Sequence, residues 1–365
     1  MNEKKLNNIE FLRIIGCIAI VFLHMFNHIG LLEHSINVSL FQKLNTMTHN
    51  AQKAVDMFFI LSGFFFAYKL NPNKSLYDFI KQKVARLYPV LICIVIISLL
   101  FSPFVKWNIF DHLFVLLGLT GTGLIKTFGH TSLEQFWYVS TMLWISVMFF
   151  YLRKNYEIKN SNFIIDLLII FSYSFLIHAK NGRISNHTQT FYYIFNVSML
   201  RGFGGMGIGY FIGEWYKKNE KKIENIIYSD KQKIFISIIE FICLSFIIRN
   251  LIFHKLNYHN DLLYIIIFTI TIITFLIKKG IFSKMLDNII CTNISKYTYS
   301  IYMVHILIIK ILKEVFWKYY TNFLYKFPIL NITIALVLIF LSGICIYYFI
   351  EQPSKKYVNK LVQRI

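Results

Sequence analysis

Arg13 and His24 stand eleven residues apart in Phe11–Leu32 (FLRIIGCIAIVFLHMFNHIGLL), a stretch that is otherwise almost wholly apolar. In a helix, eleven steps of about 100° bring the two side chains to within about 20° of one direction, and His24 lies about 16 Å deeper on that face. Across a hydrocarbon core of about 30 Å, Arg13 then sits near one surface and His24 near the middle. Titratable groups that persist at such depth usually face a water-filled or reactive interior. A guanidinium at the mouth and an imidazole at depth make a route by which an anionic molecule reaches a buried base.

The elements that must carry these residues are membrane helices. Apolar, aromatic and Cys residues make up 56% of the 365 positions and charged residues 15%, with a mean hydropathy of +0.54. Soluble domains hold a charged share nearer 25%. Ten apolar runs follow one another, at 11–32, 52–69, 87–105, 134–152, 162–178, 191–215, 234–254, 260–277, 294–312 and 328–350. Each is at or near the length of about 20 residues that a spanning helix needs. We expect an all-α polytopic integral membrane protein of about ten transmembrane helices, forming one domain over 1–365 with no appended soluble domain. The first run carries Arg and His and lacks a small-residue cleavage site, so it is a retained helix rather than a signal peptide. Phe110–Ile125 (FDHLFVLLGLTGTGLI) is shorter and ends in glycines, which suits an interfacial or re-entrant piece.

The net charge of +20 invites a nucleic-acid reading, but its distribution argues against one. With both termini placed inside, 24 of the 38 Lys and Arg fall in inward segments and 11 in outward ones. That bias of about two to one fits a multi-pass protein of the plasma membrane with both termini cytoplasmic, its basic loops facing anionic lipid. The five cysteines show no metal or disulfide spacing. His28, His34, His49 and Glu33 are spaced too irregularly to suggest a metal site, and none is expected.

Several motifs occur in a fixed order: Arg13 and His24 in FLRIIGCIAIVFLH, Val55–Phe64 (VDMFFILSGF), Lys81–Pro89 (KQKVARLYP), Trp137-Tyr138 in EQFWYVSTMLW, Ser300–His305 (SIYMVH) and Glu351-Gln352-Pro353. This ordered set resembles the membrane-bound acyltransferase-3 family, which moves acyl groups, often acetyl, onto cell-surface sugars and lipids. The resemblance implies a bacterial O-acyltransferase with acetyl-CoA as donor and a glycan or lipid-linked sugar as acceptor. One departure is Lys83, which stands where the family's basic R-x-x-R pair has its first Arg and loses the bidentate fork. Another is that no extracytoplasmic hydrolase-like domain follows, as it does in some members, so transfer is expected to be completed within the membrane domain.

The residue types suit that chemistry. An attacking alcohol needs a base of near-neutral pKa, and His24 is the candidate. Asp56, one or two turns into the second helix, is expected to orient it as the third member of a triad does. Arg13, Lys83 and Arg86 are the candidate groups for the coenzyme phosphates. Arg201, Trp137, Ser300 and His305 are candidates for the acceptor site, Arg201 because an unpaired cation in a glycine-rich membrane helix is costly. Glu134 reads as a helix-start anion, and the glycines after Arg201 as close helix packing rather than a phosphate loop. The competing reading is a polysaccharide or lipid transporter, which also needs many helices and intramembrane charge.

Overall fold

The computed structural model of the chain describes residues 6–30, 48–101, 109–124, 133, 135–179, 184, 190–191, 195–253, 261–317, 319–320 and 326–363. Glu33, His34 and Glu134 lie outside them. The fold is an all-α bundle in which a helix stands at each of the ten apolar runs: α1 Asn7–Gly30, α2 Ala54–Tyr68, α3 Leu76–Leu100, then the short α4 Ile109–Leu116, α5 Phe136–Asn155 and α6 Ile158–Ala179. There follow α7 Val197–Asn225, α8 Asp230–Phe253, α9 Asp261–Ile277, the short α10 Ile281–Met285 and α11 Ile289–Ser295, α12 Thr298–Ile311, α13 Pro328–Ile346 and the terminal α14 Gln352–Gln363. Two-residue strands, Thr190–Phe191 and Phe195–Asn196, pair just before α7.

Among the described residues, five segments are long and apolar enough to cross a membrane unaided, lying in α1, α3, α6, α8 and from α13 onward. In four of them fewer than half of the span residues are buried in the protein, and exposed Ile, Phe and Leu line their outer faces. Apolar surface on that scale belongs against lipid. Helices α2 and α12 fall short of the same criteria by length, at fifteen and fourteen residues, and both are interior. Eleven of the fifteen residues of α2 and eleven of the fourteen of α12 are buried among other helices, so their polar residues need protein partners rather than a lipid-compatible exterior.

The packing directions agree with alternating crossings. Helices α1 and α12 run parallel: Cys17 Sγ lies 3.6 Å from the Thr298 carbonyl, and seven residues further along both chains the rings of His24 and His305 meet. Helices α2 and α7 also run parallel, with Asp56 beside Arg201 and, further along, the backbone of Ile60 and Phe64 against Gly209. A Cβ at Gly209 would overlap the Ile60 carbonyl, and one at Gly63 the Met206 carbonyl. Arg201, Gly205, Gly209 and Gly213 recur every four residues, so one stripe of α7 carries both the charge and the close contact. The glycines serve helix packing, as expected.

The basic segment around Lys83 and Arg86 lies within a helix, because α3 begins well before the apolar run. Ser75 is its N-cap, accepting from the Asp78 N–H at 3.0 Å, and the helix runs on through Pro89. Capping a helix start satisfies a donor that would otherwise stay unpaired and lets the polar turns continue the apolar ones. The piece after α3 is a short helix followed by Gly118, Gly121 and Gly123 at positive φ, with the Gly118 carbonyl accepting from Trp144 Nε1 at 2.8 Å.

Candidate active site

Arg13, on the second turn of α1, points into a cavity of about 600 Å³ and is held by Glu10 at 2.9 Å, one turn earlier on the same face. Around the cavity stand Lys83 and Arg86 from α3, Lys69 and Lys74 from the α2–α3 connection and Lys355 from α14. Glu10 is the one carboxylate among these lining residues. The Lys83 ammonium lies 5.4 Å from the Phe79 ring centre and 6.0 Å from that of Phe66, so its stem follows an aromatic wall. The three residues that sequence reasoning assigned to phosphates share this one chamber.

Inward, the cavity is lined by Cys17, Phe58, Tyr138 and Tyr302. Cys17 lies on the stripe joining Arg13 to His24, four residues above the first and seven below the second. Tyr138 Oη is 2.8 Å from Ser62 Oγ and donates to the Phe58 carbonyl at 3.2 Å. The Tyr302 ring lies 5.8 Å from Tyr138 and 5.5 Å from His305, which is not part of the lining. Behind it, the rings of His305 and His24 lie 5.2 Å apart. His305 is fully buried and His24 half-buried. A carbonyl only accepts, so the 2.5 Å bond from His305 Nδ1 to the Tyr302 carbonyl puts the proton of a neutral His305 on Nδ1. That fixes the ring and its tautomer.

The other sequence candidates are placed as follows. Asp56 is buried, and Arg201 donates to both its oxygens, from Nε and Nη2 at 2.9 Å each. Such a fork fixes two helices at once. The Arg201 guanidinium lies 5.5 Å from the Trp137 ring centre, and the Phe59 ring packs at a tilt 6.0 Å from that indole. Trp137 is thus already in use as a cover for the ion pair. Nearby, toward the far end of the bundle, Lys53 pairs with Asp261 at 2.7 Å and sits 3.9 Å above the Tyr264 ring. Ser300 and His305 do not share a face, since five residues turn a helix by about 140° beyond a full turn. Ser300 instead donates to Glu351 at 2.5 Å, and Lys355 bonds the other oxygen of that carboxylate.

Sequence reasoning missed Glu10, Lys69, Lys74, Lys355, Tyr138 and Tyr302 as parts of the cavity. Glu10 was findable, being one helical turn from Arg13. Tyr138 and Tyr302 lie inside the motifs EQFWYVSTMLW and SIYMVH, whereas the three lysines carry no local signal. Among the described residues no group of three or more His, Cys, Asp or Glu stands close enough to hold a metal ion.

A helical bundle with an apolar exterior, a basic internal chamber and a histidine pair packed behind its Tyr302 wall defines a polytopic membrane protein built around an internal cavity. The model of the acyltransferase-3 family, described as an acyltransferase domain, matches residues 6–350, and the chain belongs to that family. It is an acyltransferase. No match was found among curated proteins or among solved structures.

Proposed function

We propose that this protein is an integral membrane O-acyltransferase of the plasma membrane that moves acetyl from acetyl-CoA to a hydroxyl of a cell-surface polysaccharide or lipid-linked sugar. The observation that carries the reading is a cavity walled by six cations and lined inward by Cys17 and Tyr302, with the His305–His24 pair packed against Tyr302 outside the lining. The volume lies within the range of roughly 300–1,000 Å³ usual for small-molecule and cofactor sites. The basic end faces the cytoplasm in this reading, which also places both termini there. The coenzyme phosphates rest on Arg13, Lys83 and Arg86, and the pantetheine arm follows α1 over the rise of about 16 Å that separates Arg13 from His24.

His24 takes the proton of the acceptor hydroxyl as its oxygen attacks the thioester carbonyl. The C–S bond then breaks, the sulfur leaves as the coenzyme thiol with that proton, and an ester remains on the sugar. His305 backs the His24 ring, and Asp56, through its fork with Arg201, holds the helix that carries Phe58 and Ser62. Trp137, Ser300 and Arg201 position helices around the acceptor side of the chamber.

The test is transfer of labelled acetyl from acetyl-CoA to surface glycan by purified protein in lipid nanodiscs, with His24→Ala in parallel. Label on the glycan with wild type alone supports the reading. Wild-type-level transfer by correctly inserted His24→Ala refutes the base, and absence of any acetyl-CoA binding moves the assignment to a transporter.

A further inference from the structure

Three tyrosine rings surround one lysine where α11 meets α12. Lys296 is the C-cap of α11, and its ammonium lies 4.8 Å from the Tyr297 ring centre, 5.8 Å from that of Tyr347 and 5.9 Å from that of Tyr348. Tyr347 and Tyr348 belong to the π-helical turn Tyr347–Glu351 that joins α13 to α14, a kind of turn frequently found at functional sites. We propose that this cup, outside the chamber, binds the headgroup phosphate of an anionic phospholipid. The proposal stands independently of the acyl-CoA reading.

The donors suit a phosphodiester. Among the described residues no carboxylate pairs with Lys296, and its ammonium has three N–H donors and no acceptor. The Tyr297 and Tyr348 hydroxyls lie 2.9 Å apart. One proton fills that gap, so the other hydroxyl keeps its O–H for an outside acceptor. Ring faces attract the ammonium without neutralising it, which leaves one positive charge for the single negative charge of a phosphodiester. Lys355, 5.7 Å from the Tyr347 ring centre, is already paired with Glu351. Helix α12 starts at Thr298 with no side chain capping it, so its dipole adds positive potential at the same end. An aromatic cup of this kind otherwise receives a quaternary ammonium. Here Lys296 occupies that place and repels choline, so the cup selects an anionic headgroup over a zwitterionic one.

The surroundings make the occupant a lipid rather than a free anion. Ile289, Ile290 and Ile294 of α11 are exposed on one flank, and Phe349, next to Tyr348 on the π turn, is 80% exposed on the other. A cation and tyrosine hydroxyls between two such apolar flanks belong where acyl chains give way to headgroups. A phosphate held at the cup therefore has apolar surface on both sides for the tails attached to it.

The experiment labels the full chain in nanodiscs with phosphatidylglycerol or phosphatidylcholine, each carrying a photoactivatable diazirine beside the headgroup, and maps the labelled residues by mass spectrometry. Labelling at residues 294–297 and 347–349 is referred to labelling on the exposed face of α6 in the same sample, so partial loss of folded material cancels. Wild type is expected to favour phosphatidylglycerol at the cup by about fivefold, the effect of one lysine at an anionic surface. In Lys296→Ala the preference falls to near one, and in Lys296→Arg it persists. In Tyr297→Phe/Tyr348→Phe, which keeps the rings and removes the hydroxyls, it falls part of the way. Equal labelling of wild type by the two lipids, or an unchanged preference in Lys296→Ala, overturns the site. An equal fall in Lys284→Ala, exposed on α10, also overturns it, because diffuse basic charge would then explain the preference. Loss of the preference on adding inorganic phosphate at constant ionic strength overturns the lipid in favour of a free anion.

Discussion

Removing one member of the Asp56–Arg201 pair should cost more than removing both. The guanidinium and carboxylate meet through two bonds of 2.9 Å, with side-chain exposures of 1% and 6%. Truncating either leaves the other as a buried charge without its counter-ion, a loss of about 3–5 kcal/mol. Replacing both by apolar residues of similar volume removes the desolvation cost along with the attraction and is often close to neutral. Asp56→Leu and Arg201→Met are each expected to lose about 3–5 kcal/mol, and the double variant less than either. The neighbouring Lys53–Asp261 pair stays balanced throughout. Unfolding of the four proteins in mixed micelles, followed by tryptophan fluorescence, gives the cycle, and Trp137 beside the pair makes the signal local. Additive losses in the double variant would refute the reasoning, because they would mean that each charge is stabilised independently of the other. Acyl transfer by the same four proteins then separates roles. A double variant that is stable yet inactive assigns the Asp56 charge to the chemistry around His24, whereas one that is stable and active confines it to holding α2 on α7.

Two further expectations concern packing. Gly209→Ala gains about 1 kcal/mol of helix propensity, but its Cβ would overlap the Ile60 carbonyl of α2, so a net loss of about 1–3 kcal/mol is expected from overpacking. Gly207→Ala meets only the Ile169 and Ile165 side chains, which can shift, and should lose less in the same unfolding assay; the reverse order would contradict the close α2–α7 approach. Glu240→Ala strips α10 of its cap, since one carboxylate oxygen accepts from the N–H groups of Phe282 and Ser283 at 3.0 and 3.1 Å. Leaving those donors unpaired costs about 1–3 kcal/mol, read as faster amide hydrogen exchange at residues 281–285. Exchange unchanged from wild type would rule out the capping role.

The sequence by itself determined the helices and what each one carries. Hydropathy over about 20 residues is a local property, so all ten runs became helices, and the period of 3.6 placed Arg13 and His24 on one stripe before any neighbour was known. Glu10 belongs to that same legible set. The boundaries were less legible, because an N-cap such as Ser75 can start a helix in polar sequence well outside the apolar run. Tertiary structure alone decided which charged and aromatic groups meet. Nothing local couples His24 to His305, Asp56 to Arg201, or Ser300 to Glu351, and each pair is joined only because two distant helices are neighbours in the bundle. Which helices are neighbours follows from contact surfaces summed over whole faces, the glycine stripe of α7 against α2 among them. The stripe on α1 was thus written in the order of residues. The chamber around it, with its basic rim from α2, α3 and α14, exists only once the helices are assembled.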